Sequence, residues 1–298
     1  MSDLFDALKA RVEGDLMFDR FSLGRYATDA SLYQMMPLGV MSPRSEDDIS
    51  AAIDIAGDQG LPLMARGGGT SQCGQTVNEA LVLDNTQYFN DILELDVEGQ
   101  RCVVRPGIVL DDLNRALKPH GLWFPVDVST ASRATIGGMT GNNSCGGKSL
   151  RYGMMRDNVL SIDAFLADGS KHHFGPVKSA VSPQLQSLTD DLLHLGAREA
   201  AEIDARFPKV MRRVGGYNID ALVPRDMPNN LAHLLVGSEG TLAYSTAIEL
   251  KLWPIISQKV LGVCHFPTFH QAMDAAQHLV TLKPQGVELV DATMIGLA

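Results

Sequence analysis

The run Ala65-Arg66-Gly67-Gly68-Gly69-Thr70-Ser71-Gln72-Cys73-Gly74 has the residue types needed to hold an anion. Three successive glycines admit backbone conformations of either φ sign and turn consecutive N–H groups to one side. Such a concavity of amides binds phosphate without a formal positive charge. Arg66, Thr70 and Ser71 offer further donors around it. A tight surface turn is the competing reading of a glycine triplet taken alone, and the rest of the chain decides between the two.

A second stretch, Ser129 to Gly153, is small, polar and rich in glycine, yet it lies between apolar elements. A structureless loop of that length inside a compact domain needs something to order it. A buried cofactor would do so, because small residues let backbone approach a ligand while hydroxyls and amides supply hydrogen bonds; a disordered linker is the alternative. Gly147-Lys148-Ser149 has the end of a nucleotide triphosphatase loop, but Asn142 stands where that loop requires its first glycine, so that reading is rejected. A third run, Gly237-Ser238-Glu239-Gly240-Thr241-Leu242, leads into Ile248, Leu250 and Leu252, which alternate as a strand should.

The elements that must position these runs are legible in part. Leu4, Leu8 and Val12 have helical spacing, and Leu38 to Met41 reads as a strand. Ser45 is placed to cap a helix whose first turn holds Glu46, Asp47 and Asp48, whose inward stripe is Ile49, Ile53 and Ala56, and which Gly60 ends. Leu61 to Met64 completes a strand–helix–strand unit with the glycine run at its carboxyl end, where open α/β sheets place ligands. Short strands follow at Ala80–Leu83, Ile92–Asp96 and Arg101–Val104, then a helix with Leu110, Leu113 and Leu117 on one face. Asp168-Gly169 predicts a hairpin with a type I′ turn. His172 and His173, adjacent in a strand, point to opposite faces and make a poor metal pair. Leu185 to Ala205 is helical in pattern, and Ile248, Leu250 and Leu252 alternate as a strand that Trp253-Pro254 closes. Beyond it, strands at Val260–Val263 and Gly286–Val290 flank a helix from Thr268 to Leu282, a unit too small to bury much surface by itself. The class is α+β.

A length of 298 residues suggests two domains. A net charge of −10 and a pI near 5.2 argue against nucleic acid and anionic membranes as partners. The N-terminal residues lack the order of a signal peptide, and no apolar run is long enough to span a bilayer. Cys73, Cys102, Cys145 and Cys264 are scattered and form no metal-binding pair, so no metal is expected and a soluble cytoplasmic protein is the simplest account.

Three segments now agree in order: Arg66 to Ser71; Thr135-Ile136-Gly137-Gly138-Met139 with Arg151-Tyr152-Gly153; and Gly237 to Leu242. Together they resemble the FAD-binding domain of the vanillyl-alcohol oxidase / p-cresol methylhydroxylase flavoproteins. Within that superfamily the chain is most similar to the FAD-linked D-2-hydroxyacid dehydrogenases, the class acting on D-lactate, glycolate and D-2-hydroxyglutarate. The resemblance covers roughly residues 33–254 and implies an FAD-binding domain there, of two α/β subdomains split near residue 108. Residues 1–32 would be an N-terminal segment and 255–298 the beginning of a truncated α/β cap over the substrate. It implies that Arg66, Gly67, Gly68, Gly69, Thr70, Ser71 and Gly74 hold the FAD pyrophosphate. Ser129, Thr130, Thr135, Gly138, Asn142, Ser144 and Cys145 would follow the ribityl chain and ring edge, and Glu239, Gly240, Thr241, Leu242 and Ser245 would close over the adenosine and ribityl side. Some relatives attach flavin covalently through a histidine at the position of Thr70, so FAD here is expected to be non-covalent.

The activity implied is oxidation of a small D-2-hydroxy acid to the 2-oxo acid, with hydride passing to flavin N5 and electrons then leaving to a separate acceptor. In the resembled enzymes, the arginine for the substrate carboxylate and the histidines for metal or proton lie in later cap segments. The catalytic residues are therefore expected beyond Ala298, Tyr217 near the site's mouth being the one candidate within the chain, and turnover is not expected without the cap, further subunits or C-terminal domains. Two alternatives stand beside this: an oxidase or reductase of another alcohol, and a flavin or electron-transfer subunit. A nicotinamide Rossmann enzyme is disfavoured, because the glycine run lacks the third glycine of Gly-x-Gly-x-x-Gly.

Overall fold

The computed structural model describes residues 2–177 and 183–297. The chain begins with helix α1 (Ser2–Lys9), whose Leu4 and Leu8 lie one turn apart on its buried face. Strand β1 (Asp15–Met17) and helix α2 (Arg20–Tyr26) follow; the Asp19 carboxylate caps α2 by accepting the N–H groups of Phe21 and Ser22 at 3.1 and 3.0 Å. Strand β2 (Gly39–Ser42) leads to helix α3 (Glu46–Asp58). Ser45 caps α3 as its position predicts, its hydroxyl accepting the Asp48 N–H at 3.2 Å, while Ile49, Ala52, Ile55 and Ala56 are buried. Strands β3 (Leu63–Arg66) and β4 (Leu81–Asp84) complete a sheet of order β1-β2-β4-β3. β4 lies between the two strands of the strand–helix–strand unit and is parallel to both. All four of its residues are buried, as a central parallel strand requires.

Residues 1–32, which the resemblance sets apart as a separate segment, contribute to this layer. β1 pairs with the free edge of β2, and Leu4 and Leu8 join the cluster that contains Ile49, Leu81 and Leu83. An uncovered edge would leave a row of backbone donors and acceptors unpaired.

The second layer begins with β5 (Ile92–Asp96) and β6 (Arg101–Val104), so the passage between sheets falls between Asp84 and Ile92 rather than near residue 108. Helix α4 (Leu110–Leu117), strand β7 (Leu122–Trp123) and three short helices, α5 (Ile136–Gly141), α6 (Ser149–Tyr152) and α7 (Met155–Asn158), come next. Strands β8 (Val159–Phe165) and β9 (Lys171–Phe174) form the expected hairpin. Its turn is not type I′, which needs positive φ at two residues: Gly169 has φ +79° but Asp168 is not left-handed. Helices α8 (Pro183–Arg198), α9 (Ala200–Arg206) and α10 (Ala232–Leu235) precede β10 (Tyr244–Lys251) and β11 (Trp253–Pro254). The sheet runs β5-β6-β10-β8-β9 and is antiparallel throughout. Leu110, Leu113 and Leu117 of α4 pack with Val104, Ile136, Ile248 and Leu250, and Leu188, Leu192 and Leu195 of α8 pack against the same cluster.

After β11 the architecture changes. Helices α11 (Phe269–Leu279) and α12 (Ala292–Leu297) form, but Val260–Val263 and Gly286–Val290 are not strands, contrary to their pattern. A strand needs a neighbour to receive its hydrogen bonds, and among the described residues no other strand pairs with either run. No described residue from 255 to 297 is buried.

Candidate functional site

The carboxyl ends of β3 and β4 lie side by side, with Arg66 opposite Asp84, and the glycine run leaves the sheet there. It meets the turn that enters α5. A Cβ added at Gly67 would overlap the Thr135 hydroxyl, and one at Gly68 would overlap the Arg133 carbonyl oxygen. Glycine at these two positions thus lets one layer's loop touch the backbone of the other. A cleft of 360 Å³ opens along this seam.

Three separated stretches converge on it, as the sequence reading requires. Arg66, Gly67, Gly68, Gly69, Thr70 and Ser71 line one side; Ser129, Thr130, Thr135, Gly138, Asn142 and Ser144 a second; Glu239, Gly240 and Ser245 a third. Among the described residues, the N–H groups of Gly67 to Gln72 donate to no other protein group, which leaves six consecutive backbone donors along the cleft. The hydroxyls of Thr70, Ser129, Thr130, Ser238 and Ser245 likewise have no protein partner. Polar groups so placed need an external partner, and the set suits a ligand with many oxygens, above all a diphosphate with a polyhydroxylated chain.

Several residues named from the sequence do other work. Arg66 does line the cleft, but its guanidinium is turned away from a ligand: it donates to the carbonyls of Tyr26 at 3.0 Å, Thr76 at 2.7 Å and Thr28 at 2.7 Å. It is 8% exposed, and burial lowers its pKa against the opposing pull of Asp29 and Asp84. Its task is to fix the chain around the glycine run. Gly74 is a turn residue with φ +78° packed against the Tyr33 ring and lies outside the cleft lining. Cys145, Thr241 and Leu242 also lie outside it. Thr241 donates its hydroxyl proton to the Ser238 carbonyl at 2.6 Å, and Leu242 packs against the core of the second layer.

Other lining residues carried no signal of their own in the sequence. Asn85, which follows β4, accepts the Tyr244 hydroxyl at 2.6 Å. Its position just past a parallel strand was the available clue. Gln75, Pro106 and Leu235 are ordinary residues in pattern and reach the cleft only through the tertiary fold.

Arg66 and Glu239 are the only charged lining side chains among the described residues. Burial raises the pKa of Glu239, with a hydrogen bond from Gln75 opposing it. Behind the third wall, Asp220 receives Arg213 at 2.7 Å and Arg156 at 3.0 Å. Burial would raise the Asp220 pKa, but the two arginines hold it below the usual carboxylate range. Arg156 also donates to Asn218 at 3.2 Å, and the Asn218 amide donates to the Val236 carbonyl at 2.7 Å. Tyr217, exposed at 47%, does not line the cleft; its hydroxyl lies 2.7 Å from that of Thr241.

Comparison with known proteins fits this geometry. The family described as an FAD binding domain matches residues 37–175. D-2-hydroxyglutarate dehydrogenase of Pseudomonas putida is 36% identical over 282 residues, which is 91% of this chain and 28% of that one. The glycolate oxidase subunit GlcD of Bacillus subtilis is 30% identical over 287 residues, 94% of this chain and 52% of that one. The chain thus spans about half the length of these relatives or less. Among solved structures, alkyldihydroxyacetonephosphate synthase aligns with a TM-score of 0.67 at 18% identity, covering 96% of this chain and 47% of that one. The fold, the matched domain and the relatives agree: residues 37–175 are an FAD binding domain, and the chain is similar to D-2-hydroxyglutarate dehydrogenases and to the glycolate oxidase subunit GlcD.

Proposed function

We propose that the chain is the FAD-binding part of a dehydrogenase that oxidises a small D-2-hydroxy acid to its 2-oxo acid. The observation that carries this is the row of six unpartnered amides from Gly67 to Gln72, set across one cleft from unpartnered serine and threonine hydroxyls. In this reading those amides hold the diphosphate, while Ser129, Thr130 and Ser245 bond the hydroxylated chain. Arg66 holds the loop in shape by its three carbonyl contacts. Burial shifts the Glu239 pKa upward, the direction that lessens its charge beside an anionic ligand. Bound FAD would supply a two-electron acceptor for the carbon that carries the substrate hydroxyl. Thr70 has no nucleophilic ring nitrogen, so the reading takes the cofactor as dissociable. The four cysteines are unpaired, which accords with a reducing compartment such as the cytoplasm.

The substrate class rests on the relatives' names. Residues 33–254 are read as the cofactor domain and 255–298 as the start of a substrate cap, whose later segments would carry the base and the carboxylate-binding arginine. The test uses the full-length gene product loaded with FAD under anaerobic conditions. D-2-hydroxyglutarate, D-lactate or glycolate should bleach the yellow absorption, and bleaching by none of them would remove this substrate class.

A second reading, a flavin-carrying subunit that works only with a partner, is favoured by one relative's being named a subunit. It is favoured also by the uncovered apolar side chains after residue 255. Bleaching that appears only when a co-purifying protein is restored would select it.

A further inference from the structure

We infer that Tyr217 is a positioning residue for the cofactor: its hydroxyl latches the strap Gly237–Leu242 along the edge of the cleft. The inference rests on reading that cleft as the FAD site.

The strap is tied to the molecule unevenly. At its beginning, Gly237 N–H donates to the Thr140 carbonyl at 2.9 Å and Glu239 N–H to the Gly141 carbonyl at 2.8 Å, both at the carboxyl end of α5. Past Glu239 these ties stop. Gly240 has φ +74° and open space around it. From Gly240 to Ala243, the only hydrogen bond to another segment among the described residues is the one between Tyr217 and Thr241, at 2.7 Å.

The direction of that bond follows from counting protons. The Thr241 hydroxyl has one proton, and at 2.6 Å it faces the Ser238 carbonyl, which can only accept. Tyr217 must therefore donate to Thr241. The two bonds in series run from the Tyr217 ring to the backbone of Ser238, which lines the cleft.

The chain on either side of Tyr217 suits a latch. Asn218 is buried and held at both ends of its amide, by Val236 at 2.7 Å and Arg156 at 3.2 Å. Before it, Gly215 and Gly216 have nothing within 4 Å of an added Cβ, so close packing does not explain either. Tyr217 thus stands between an anchored residue and a loosely packed glycine turn, and its hydrogen bond ties the ring to the strap. Breaking that bond should loosen the strap at Gly240 and Thr241, ahead of the core-packed Leu242, and let FAD leave faster.

The test measures FAD release from the purified chain by the recovery of flavin fluorescence. Tyr217→Phe and Thr241→Val should each speed release about three- to tenfold, the range that one hydrogen bond supplies. The double variant should release no faster than Thr241→Val alone, and Thr241→Ser, which keeps the acceptor, should behave as the unaltered chain. The FAD-free variants should melt within about 2 °C of the parent, since Tyr217 is half exposed. Unchanged release in Tyr217→Phe, or additive effects in the double variant, would overturn the latch and leave the cofactor site standing. Failure of the unaltered chain to take up FAD would overturn both.

Discussion

Glu239 combines two unfavourable features at one position. It has a left-handed backbone, with φ +54°, and a carboxyl group that burial shifts upward. Left-handed backbone costs a non-glycine residue about 1 kcal/mol, so the strap holds this conformation against its local preference. An acid with a raised folded pKa binds its proton more tightly in the folded state. Its contribution to stability is therefore present at low pH and is lost as pH rises from the ordinary value of 4.5 through the raised one. Binding of an anionic ligand should follow the same sign: FAD affinity should fall as pH rises through that interval, and Glu239→Gln should flatten the dependence. Fluorescence titration of FAD at a series of pH values measures both. At this scale the sequence was informative about residue type and silent about direction. Arg66 beside a glycine run reads as a ligand donor, yet its guanidinium serves three carbonyls. Only the neighbours brought in from Tyr26 and Thr28 reveal that.

Among the elements, those fixed by local chemistry were legible. Ser45 with three acids after it marks the start of α3 because the cap and the helix dipole act within a few residues. Insertion of β4 between β2 and β3 was not legible, because a strand's neighbours are chosen by tertiary contact and leave no periodic trace. The same holds for Val260–Val263 and Gly286–Val290, strand-like in pattern and unpaired in fact. The glycine run serves two purposes at once. Its amides stay free along the cleft while its missing side chains admit Arg133 and Thr135. Gly68→Ala should therefore force the two loops apart, weakening FAD binding at least tenfold and costing about 1–3 kcal/mol of stability, the range of an overpacked site. Equilibrium urea unfolding and FAD titration would report the two effects separately.

For the molecule as a whole, the division between covered and uncovered surface matters most. Two sheets and their helices enclose their own cores, whereas Val260, Leu261, Leu282 and Leu297 in the final stretch are more than three-quarters exposed. Contacts between that stretch and the rest are few: Gln285 reaches the Tyr152 hydroxyl at 3.4 Å, and Glu288 lies over Gly147. Deleting residues 259–298 should change the melting temperature of the remainder by no more than about 3 °C and leave FAD affinity within about twofold, because almost no apolar burial is lost. Calorimetry and titration of the shortened chain would check it. The seam where Gly67 and Gly68 abut Arg133 and Thr135 has a final consequence. Protein atoms, and not a guest, fill the room those glycines leave, so the mould is cast when the polypeptide collapses. A dinucleotide arriving later need not order those two loops and gives up mainly its own freedom on docking.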